Sequence, residues 1–224
     1  MCMNKCPMVT LHANYNAHAS QKNHVNDNFS FDYYLFSCAE KLLSRPVEIL
    51  KSAFIRPEDI HYYEEAGVDN MKLVERSMTT DALARIVKAY TVRSYDGNMM
   101  DLIHGLSKYI IYNKDKYYWK GLKYLLQPSK INIFKAHKLV NQLSALRSEK
   151  EFNESFDLYI DNKKLDGFME FFHKGHCQRD CTECNYCDKF AEKAISYLVP
   201  IEQHEKAMES LRQTKSMMIK GDLY

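Results

Sequence analysis

The feature that most constrains the fold is an alternation of strand-like and helix-like segments between residues 47 and 95. The apolar run VEILKSAF, residues 47–54, is typical of a buried strand, and NMKLVE, residues 70–75, predicts a second strand. Between them, Pro57 suits the first turn of a helix, and Gly67 is placed to end it.

A second helix is predicted directly after the second strand, where Thr79 or Thr80 can cap it. Its apolar residues recur at the helical spacing i, i+3, i+4 and i+7, namely at Leu83, Ile86, Val87 and Tyr90. The order strand, helix, strand, helix is the signature of a parallel α/β fold.

The segments outside this alternation predict loop or helix. Residues 1–46 are polar and typical of a long loop, with a third strand only near MVTLHA, and the pattern from residue 99 onward is helical. A closed (β/α)8 barrel typically takes about 250 residues and eight strands. The chain has 224 residues, too few strands and no strong strand pair after residue 75, so it can supply only part of such a barrel.

Two runs of residues carry a family resemblance. FIRPEDIHYYEEAGVDNMKLVERS and IVKAYTVRSYDGN resemble the second half of the collagenase-like proteins of peptidase family U, number thirty-two. Those proteins have an Arg-Pro-Glu-Asp-type turn after a barrel strand, a Tyr-x-x-x-Gly helix, and a Lys-containing strand that ends in Arg. Upstream, CMNKCPMVTLHANYNAHAS and the isolated Cys38 resemble the cysteine- and histidine-bearing stretch of the same family.

The resemblance implies an α/β chain in two parts. Residues 1–112 would form an incomplete, TIM-barrel-like C-terminal half, and residues 113–224 a mainly helical, cysteine-rich tail. The first barrel strands of the family are missing, which suits a truncation, a split protein or a gene that starts further upstream. Strands buried on both faces would then expose unpaired edges, so the expected partner is the missing barrel half or a second copy of the chain.

Four cysteines fall within the eleven residues of CQRDCTECNYC: Cys177, Cys181, Cys184 and Cys187. The spacing C-x3-C-x2-C-x2-C lets one loop wrap a compact cluster, which favours a 4Fe-4S site. Structural zinc sites also use four cysteines, usually as two separated pairs, so zinc is the alternative metal. His173 and His176 precede the cysteines, either as hydrogen-bond donors to sulfur or as residues at a helix end.

A second set of cysteines lies in the region of family resemblance. By that resemblance, Cys2, Cys6 and Cys38 correspond to cluster cysteines and imply a second iron–sulfur cluster. Three thiolates would leave one iron of a four-iron cluster open to substrate. Alternatively, a histidine or a residue of the missing first barrel half would supply the fourth ligand. The alternative is that these are small apolar residues without a metal.

Two arginines follow the two predicted strands, and Glu75 is the last residue of the second strand. Arg56 and Arg76 would lie at the carboxyl-terminal rim of a parallel barrel, where active sites are built, and Glu75 beside Arg76 is an acid/base or a partner charge. Two guanidinium groups there suit a dicarboxylate ligand. The alternative for Arg56 and Glu58 is an ion pair at the turn where the helix begins.

Composition narrows the location and the partners. Lys and Arg total 31 against 29 for Asp and Glu, so the net charge of +2 does not indicate a nucleic acid or an anionic membrane as partner. The start of the chain has no apolar core of signal-peptide length, and no apolar run is long enough to span a membrane. Seven cysteines, an odd number, cannot all pair within one chain. We expect a cytoplasmic protein with reduced thiols.

Three functions follow as expectations. The family includes iron–sulfur proteins implicated in oxygen-independent hydroxylation of ubiquinone precursors and RNA bases with prephenate as oxygen source, so the resemblance implies a hydroxylase of a small molecule, peptide or RNA base. The alternative is a catalytically silent, metal-stabilised interaction module. A collagenase-like peptidase is the third, although HEKAM at residue 204 lacks the second histidine of a zinc peptidase and no G-x-S-x-G motif occurs.

Overall fold

A computed structural model describes most of the chain outside its middle. The described residues are 6, 8–19, 33–73, 80–103 and 158–222. They belong to two compact units, each assembled from separate stretches of sequence.

The first unit consists of residues 46–73, 80–103 and 158–199, and the second of residues 6, 8–19, 33–45 and 200–222. The boundary expected at residue 112 lies outside the described residues and stays a prediction.

Short elements make up the first unit. In chain order its helices and strands are α3 (Val47–Leu50), α4 (Ile60–Glu65), α5 (Thr80–Val92), β1 (Leu158–Ile160), α6 (Glu170–His173), α7 (Tyr186–Ala194) and β2 (Ile195–Tyr197). Three 3₁₀ helices lie between them, at Pro57–Asp59, Met99–Asp101 and Lys163–Leu165.

The sheet of the first unit is a single antiparallel pair. Leu158 of β1 lies opposite Tyr197 of β2, and Ile160 lies opposite Ile195. The Asn98 side chain secures β1, because its amide donates to the Leu158 carbonyl at 3.1 Å and its oxygen accepts the Ile160 N–H at 2.9 Å. The two inward side chains of β1, Leu158 and Ile160, are almost fully buried.

Helix α5 packs its apolar face on the residues that follow it. Ile86 and Ala89 are buried against Leu102, and Phe54 and Tyr90 border this cluster. The predicted helix is present and begins at Thr80; Thr79, the other candidate for its cap, lies outside the described residues.

The second unit is built from helices near both ends of the sequence. These are α1 (Met8–Ala19), α2 (Tyr33–Ser44) and α8 (Ile201–Lys220). Helix α2 packs on α8 through four buried side chains: Phe36, Ala39, Met208 and Leu211. Beside this seam, Glu40 accepts hydrogen bonds from Lys215 at 2.5 Å and from Arg212 at 3.3 Å.

Local signals around Pro57 are confirmed. Pro57 opens the 3₁₀ helix that leads into α4, with Glu58 and Asp59 in its first turn. Gly67, at φ +87°, follows the helix in the left-handed conformation that glycine adopts without strain.

The strand predictions are wrong where the structure describes them. Residues 47–50 form helix α3 and residues 51–53 a turn, although Val47, Ile49 and Leu50 are buried as expected. A short apolar run reflects burial, and burial alone does not distinguish a strand from a helix. Residues 70–73 have no regular secondary structure, and residues 74–75 lie outside the described part.

Two further expectations about secondary structure are corrected. Residues 8–19, expected as loop with a strand near MVTLHA, form helix α1, and residues 33–44 form α2. A strand pair does occur after residue 75, in β1 and β2. Within the described residues there is no parallel sheet, and the TIM-barrel-like architecture stays a prediction.

Candidate metal centre

Four cysteines lie in and beside one exposed segment of the first unit. Residues 174–185, which we call the cysteine loop, run between α6 and α7 without helix or strand. Cys177, Cys181 and Cys184 are exposed on this loop, and Cys187 is half-buried in the first turn of α7. All four are free thiols.

The four thiols influence one another electrostatically. Burial raises the pKa of the Cys187 thiol to about 11; the Lys51 ammonium opposes the rise, and Cys181, Cys177 and Cys184 add to it. Burial therefore distinguishes Cys187 from the three exposed cysteines of the loop.

The donor set fits a thiophilic metal. Four thiolates are the ligands of structural zinc and of iron–sulfur clusters. Among the described residues, no three His, Cys, Asp or Glu side chains converge on one point, so the loop would have to draw the sulfurs together. The three outer cysteines are on an exposed segment without regular structure, which leaves room for that movement.

The cysteine loop also encloses an open cavity of about 340 Å³. It is lined by His176, Gln178, Asp180, Thr182, Glu183 and Cys184. The Asp180 carboxylate shapes one wall, because it accepts hydrogen bonds from the Thr182 N–H at 3.0 Å and from the Thr182 hydroxyl. A thiol, an imidazole and two carboxylates thus line the same cavity, although they do not converge on one point.

The two histidines ahead of the cysteines have different surroundings. His173 Nε2 lies 3.6 Å from Glu65 Oε2, and its ring lies 4.9 Å from that of Tyr62. It therefore joins α6 to α4. His176 lines the cavity, with its ring 5.5 Å from that of Phe171.

Aromatic rings flank the cysteine loop on both sides. We call this cluster the aromatic clasp; it consists of Phe168, Phe171, Phe172, Tyr186 and Phe190. Three of the rings precede the loop and two follow it. The sequence shows these aromatic residues as FMEFF, which precedes the four cysteines, and YCDKF, which contains the last of them. Only the structure shows that the rings are in contact.

Arg56 is buried, and protein oxygens surround its guanidinium. Its Nε and Nη2 donate to the two carboxylate oxygens of Asp59 at 2.8 and 3.3 Å. Its Nη1 donates to the Asn162 carbonyl at 2.5 Å, and Nη2 also donates to Asp166 at 3.2 Å. The arginine thus connects the start of α4 to the 3₁₀ helix that follows β1.

This geometry matches the ion-pair interpretation of Arg56, with Asp59 as the direct partner rather than Glu58. Burial alone would lower the pKa of Arg56, but its hydrogen bonds with Asp59 and Asp166 raise it above its usual value. The side chain is only 4% exposed, so a dicarboxylate would have to displace these partners. Dicarboxylate binding by Arg56 stays a prediction.

Glu58 lies in the adjoining network. One oxygen accepts hydrogen bonds from the Tyr95 N–H at 2.7 Å, the Asn162 amide at 2.9 Å and Lys163 Nζ at 3.4 Å. Burial alone would raise the pKa of Glu58, but the hydrogen bonds from Tyr95 and Asn162 and the charge of Arg56 together hold it below its usual 4.5. The carboxylate is therefore held in its ionised form.

The other predicted site residues are partly beyond the described structure. Glu75, Arg76 and Cys2 lie outside the described residues. Cys6 precedes α1 and Cys38 lies in α2, both half-buried and both in the second unit. The structure therefore assigns Cys38 and the four-cysteine set to different units.

The chain is similar to an uncharacterized protease of Methanocaldococcus jannaschii. The two are 29% identical over 194 residues, which cover 87% of this chain and 43% of that protein. The chain thus spans less than half the length of this relative. No family model matches the chain, and no solved structure matches it.

The length and polarity of the helices decide whether any of them could span a membrane. In the part of the chain that the structure describes, every helix is too short or too polar to cross a bilayer.

The first prediction concerns the buried arginine. Replacing Arg56 with Met should lower the free energy of unfolding by about 3–5 kcal/mol, because it leaves the buried Asp59 carboxylate without its cation. Urea denaturation at neutral pH measures the change. The matched control is Arg93→Met, which breaks the exposed pair with Glu64 and should cost less than about 1 kcal/mol. Equal losses for the two variants would contradict the structural role of Arg56.

The second prediction concerns acid stability. The folded-state pKa of Glu58 lies below its usual 4.5, so its ionised form stabilises the fold above that pH, and this contribution is lost as the pH falls through the folded value. Glu58→Gln should lower stability at neutral pH and flatten the decline below about pH 4.5. Urea midpoints measured from pH 7 down to about pH 3 test this. Parallel profiles for wild type and variant would rule it out.

Proposed function

We propose that residues 174–187 form a metal site whose ligands are Cys177, Cys181, Cys184 and Cys187. The observation that carries this proposal is the placement of four free thiols on and beside one exposed loop, within eleven residues of sequence. A cytoplasmic location suits the proposal, because reduced thiols are what a thiolate site requires.

A 4Fe-4S cluster is the first choice of metal centre and zinc the second. The short intervals between the cysteines support the cluster, and the absence of two well-separated pairs counts against the usual zinc arrangement. A cluster bound here would supply one-electron redox chemistry, whereas zinc would hold the loop in one conformation. The protein itself would contribute the four sulfur ligands and the packed helix α7, which carries Cys187.

The third prediction tests the metal. Full-length protein purified without oxygen should be brown and carry stoichiometric iron and sulfide, and Cys184→Ser should lose them, because a four-ligand site loses one ligand. Iron, sulfide and zinc analysis with visible spectroscopy gives the result. The matched control is Cys38→Ser, a cysteine of the other unit, which should keep the loop's metal. A colourless protein with one bound zinc would show that the site holds zinc instead of a cluster. A protein without metal would contradict the proposed site.

A peptidase activity is the second candidate function. The similar protein from Methanocaldococcus jannaschii is named a protease, and Cys184 and His176 line one cavity with Asp180 and Glu183. A thiol, an imidazole and a carboxylate are the groups from which thiol hydrolases build a nucleophile and its base. Since the chain spans less than half of that relative, peptidase activity of the whole protein is a proposal.

The fourth prediction separates the two candidates. If Cys184 is a nucleophile, Cys184→Ala should abolish cleavage of a fluorescent peptide library, whereas Cys177→Ala, which removes an exposed thiol of the same loop, should retain it. If the four cysteines are metal ligands, both variants should lose the metal alike. Cleavage that neither substitution affects would exclude the thiol peptidase.

The oxygen-independent hydroxylase rests on the family resemblance alone. Its proposed dicarboxylate contacts were Arg56 and Arg76; the N–H groups of Arg56 are directed at Asp59, Asn162 and Asp166, and Arg76 lies outside the described residues. The second cluster proposed for Cys2, Cys6 and Cys38 has the same basis. We therefore place the metal-stabilised interaction module ahead of the hydroxylase as the alternative role of the four-cysteine site.

The structure removes part of the argument for a partner that completes a barrel. A missing barrel half or a second copy of the chain was expected because two strands would be left with open edges. One of those segments, residues 47–50, is a helix that packs on α7, so it presents no strand edge.

A further inference from the structure

The rings of the aromatic clasp close the base of the cysteine loop. Phe171, which lies in α6 before the loop, stacks on Tyr186, the first residue of α7 after it, with centroids 4.1 Å apart and planes 15° apart. The Tyr186 ring also meets Phe190 at 5.0 Å and Phe168 at 5.8 Å. The two ends of the loop are therefore held together by side chains rather than by backbone pairing.

The Tyr186 hydroxyl adds a directional contact. It donates hydrogen bonds to the carbonyl oxygens of Gly167 and Phe168, at 3.2 and 3.0 Å, in the turn just before α6. Ring and hydroxyl together fix both the position and the rotation of the first turn of α7 against the preceding segment.

Cys187 is the next residue after Tyr186, and it differs from the other three cysteines. It is half-buried in α7, and that helix packs on α3 and on the 3₁₀ helix Lys163–Leu165. Cys177, Cys181 and Cys184 are exposed on the loop. One sulfur is thus attached to the packed unit, while three lie on an exposed segment without helix or strand.

We infer that Tyr186 and Phe171 are positioning residues of the four-cysteine site, which hold Cys187 as the fixed ligand toward which the loop brings the other three. This inference rests on the metal site proposed above. The clasp ties the loop ends together before any metal binds, so the metal need not supply the entropy of closing the loop. The first unit should also stay folded without metal, unlike a zinc finger.

Cobalt(II) is the probe, because its thiolate complexes absorb visible light and it occupies four-cysteine sites of either zinc or iron type. Full-length, reduced, metal-free protein is titrated with Co²⁺ without oxygen. Phe171→Leu and Tyr186→Leu should weaken Co²⁺ binding about ten- to hundredfold, as loss of residues that orient metal ligands generally does. Tyr186→Phe keeps the stack and loses only the hydroxyl contacts, so its affinity should fall between those of Tyr186→Leu and wild type.

The matched control is Phe54→Leu, the same substitution beside the Ile86 and Leu102 cluster of the same unit. It should lower the urea midpoint and leave Co²⁺ affinity unchanged. The inference is overturned if Phe54→Leu weakens binding as much as Phe171→Leu, or if the clasp variants, including the conservative Tyr186→Phe, all bind like wild type. If wild type itself takes up no Co²⁺, the four-cysteine site fails, and the inference fails with it.

Discussion

The first unit depends on one buried guanidinium. Arg56 joins the start of α4 to the segment after β1, across 106 positions of sequence, through Asp59, the Asn162 carbonyl and Asp166. A buried cation is tolerated only when its hydrogen-bonding capacity is used, and here the partners come from both sides of the unit. Any arrangement that separates the two segments keeps the pair with Asp59 but removes the Asn162 and Asp166 partners, which leaves part of the buried guanidinium without acceptors.

The buried Arg56 network explains how the same unit can carry an exposed loop without regular structure. The segment after β1 leads through α6 into the aromatic clasp, and the clasp leads into the cysteines. Buried side chains belong to the Arg56 network and to β1, whereas Cys177, Cys181 and Cys184 are exposed. Loss of metal should therefore change the loop and leave the unit folded.

Features that depend on neighbouring residues could be predicted from the sequence, whereas contacts between residues distant in sequence could not. Pro57 and Gly67 marked helix boundaries correctly, because each acts through the conformation of its own backbone. The run at residues 47–54 was misassigned, since its apolar character reflects burial and not the type of element.

The candidate site divides in the same way. The cysteine spacing and the flanking aromatic residues are contiguous in sequence, so the site could be located there. The partners of Arg56 could not, because no periodicity links Arg56 to Asn162 and Asp166, more than a hundred residues away. The role of Arg56 as a rim residue was inferred from two strands, of which the structure shows the first to be a helix.

The second unit has a consequence for the order in which the chain is made. Helix α2 ends at Ser44, yet the helix it packs against, α8, begins only at Ile201. At synthesis rates of about 5–20 residues per second, α2 leaves the ribosome roughly 8–30 s before α8 exists. The second unit is therefore completed last, after every segment of the first unit has emerged, and the side chains that α2 packs on α8 are the surface a chaperone would meet on the nascent chain.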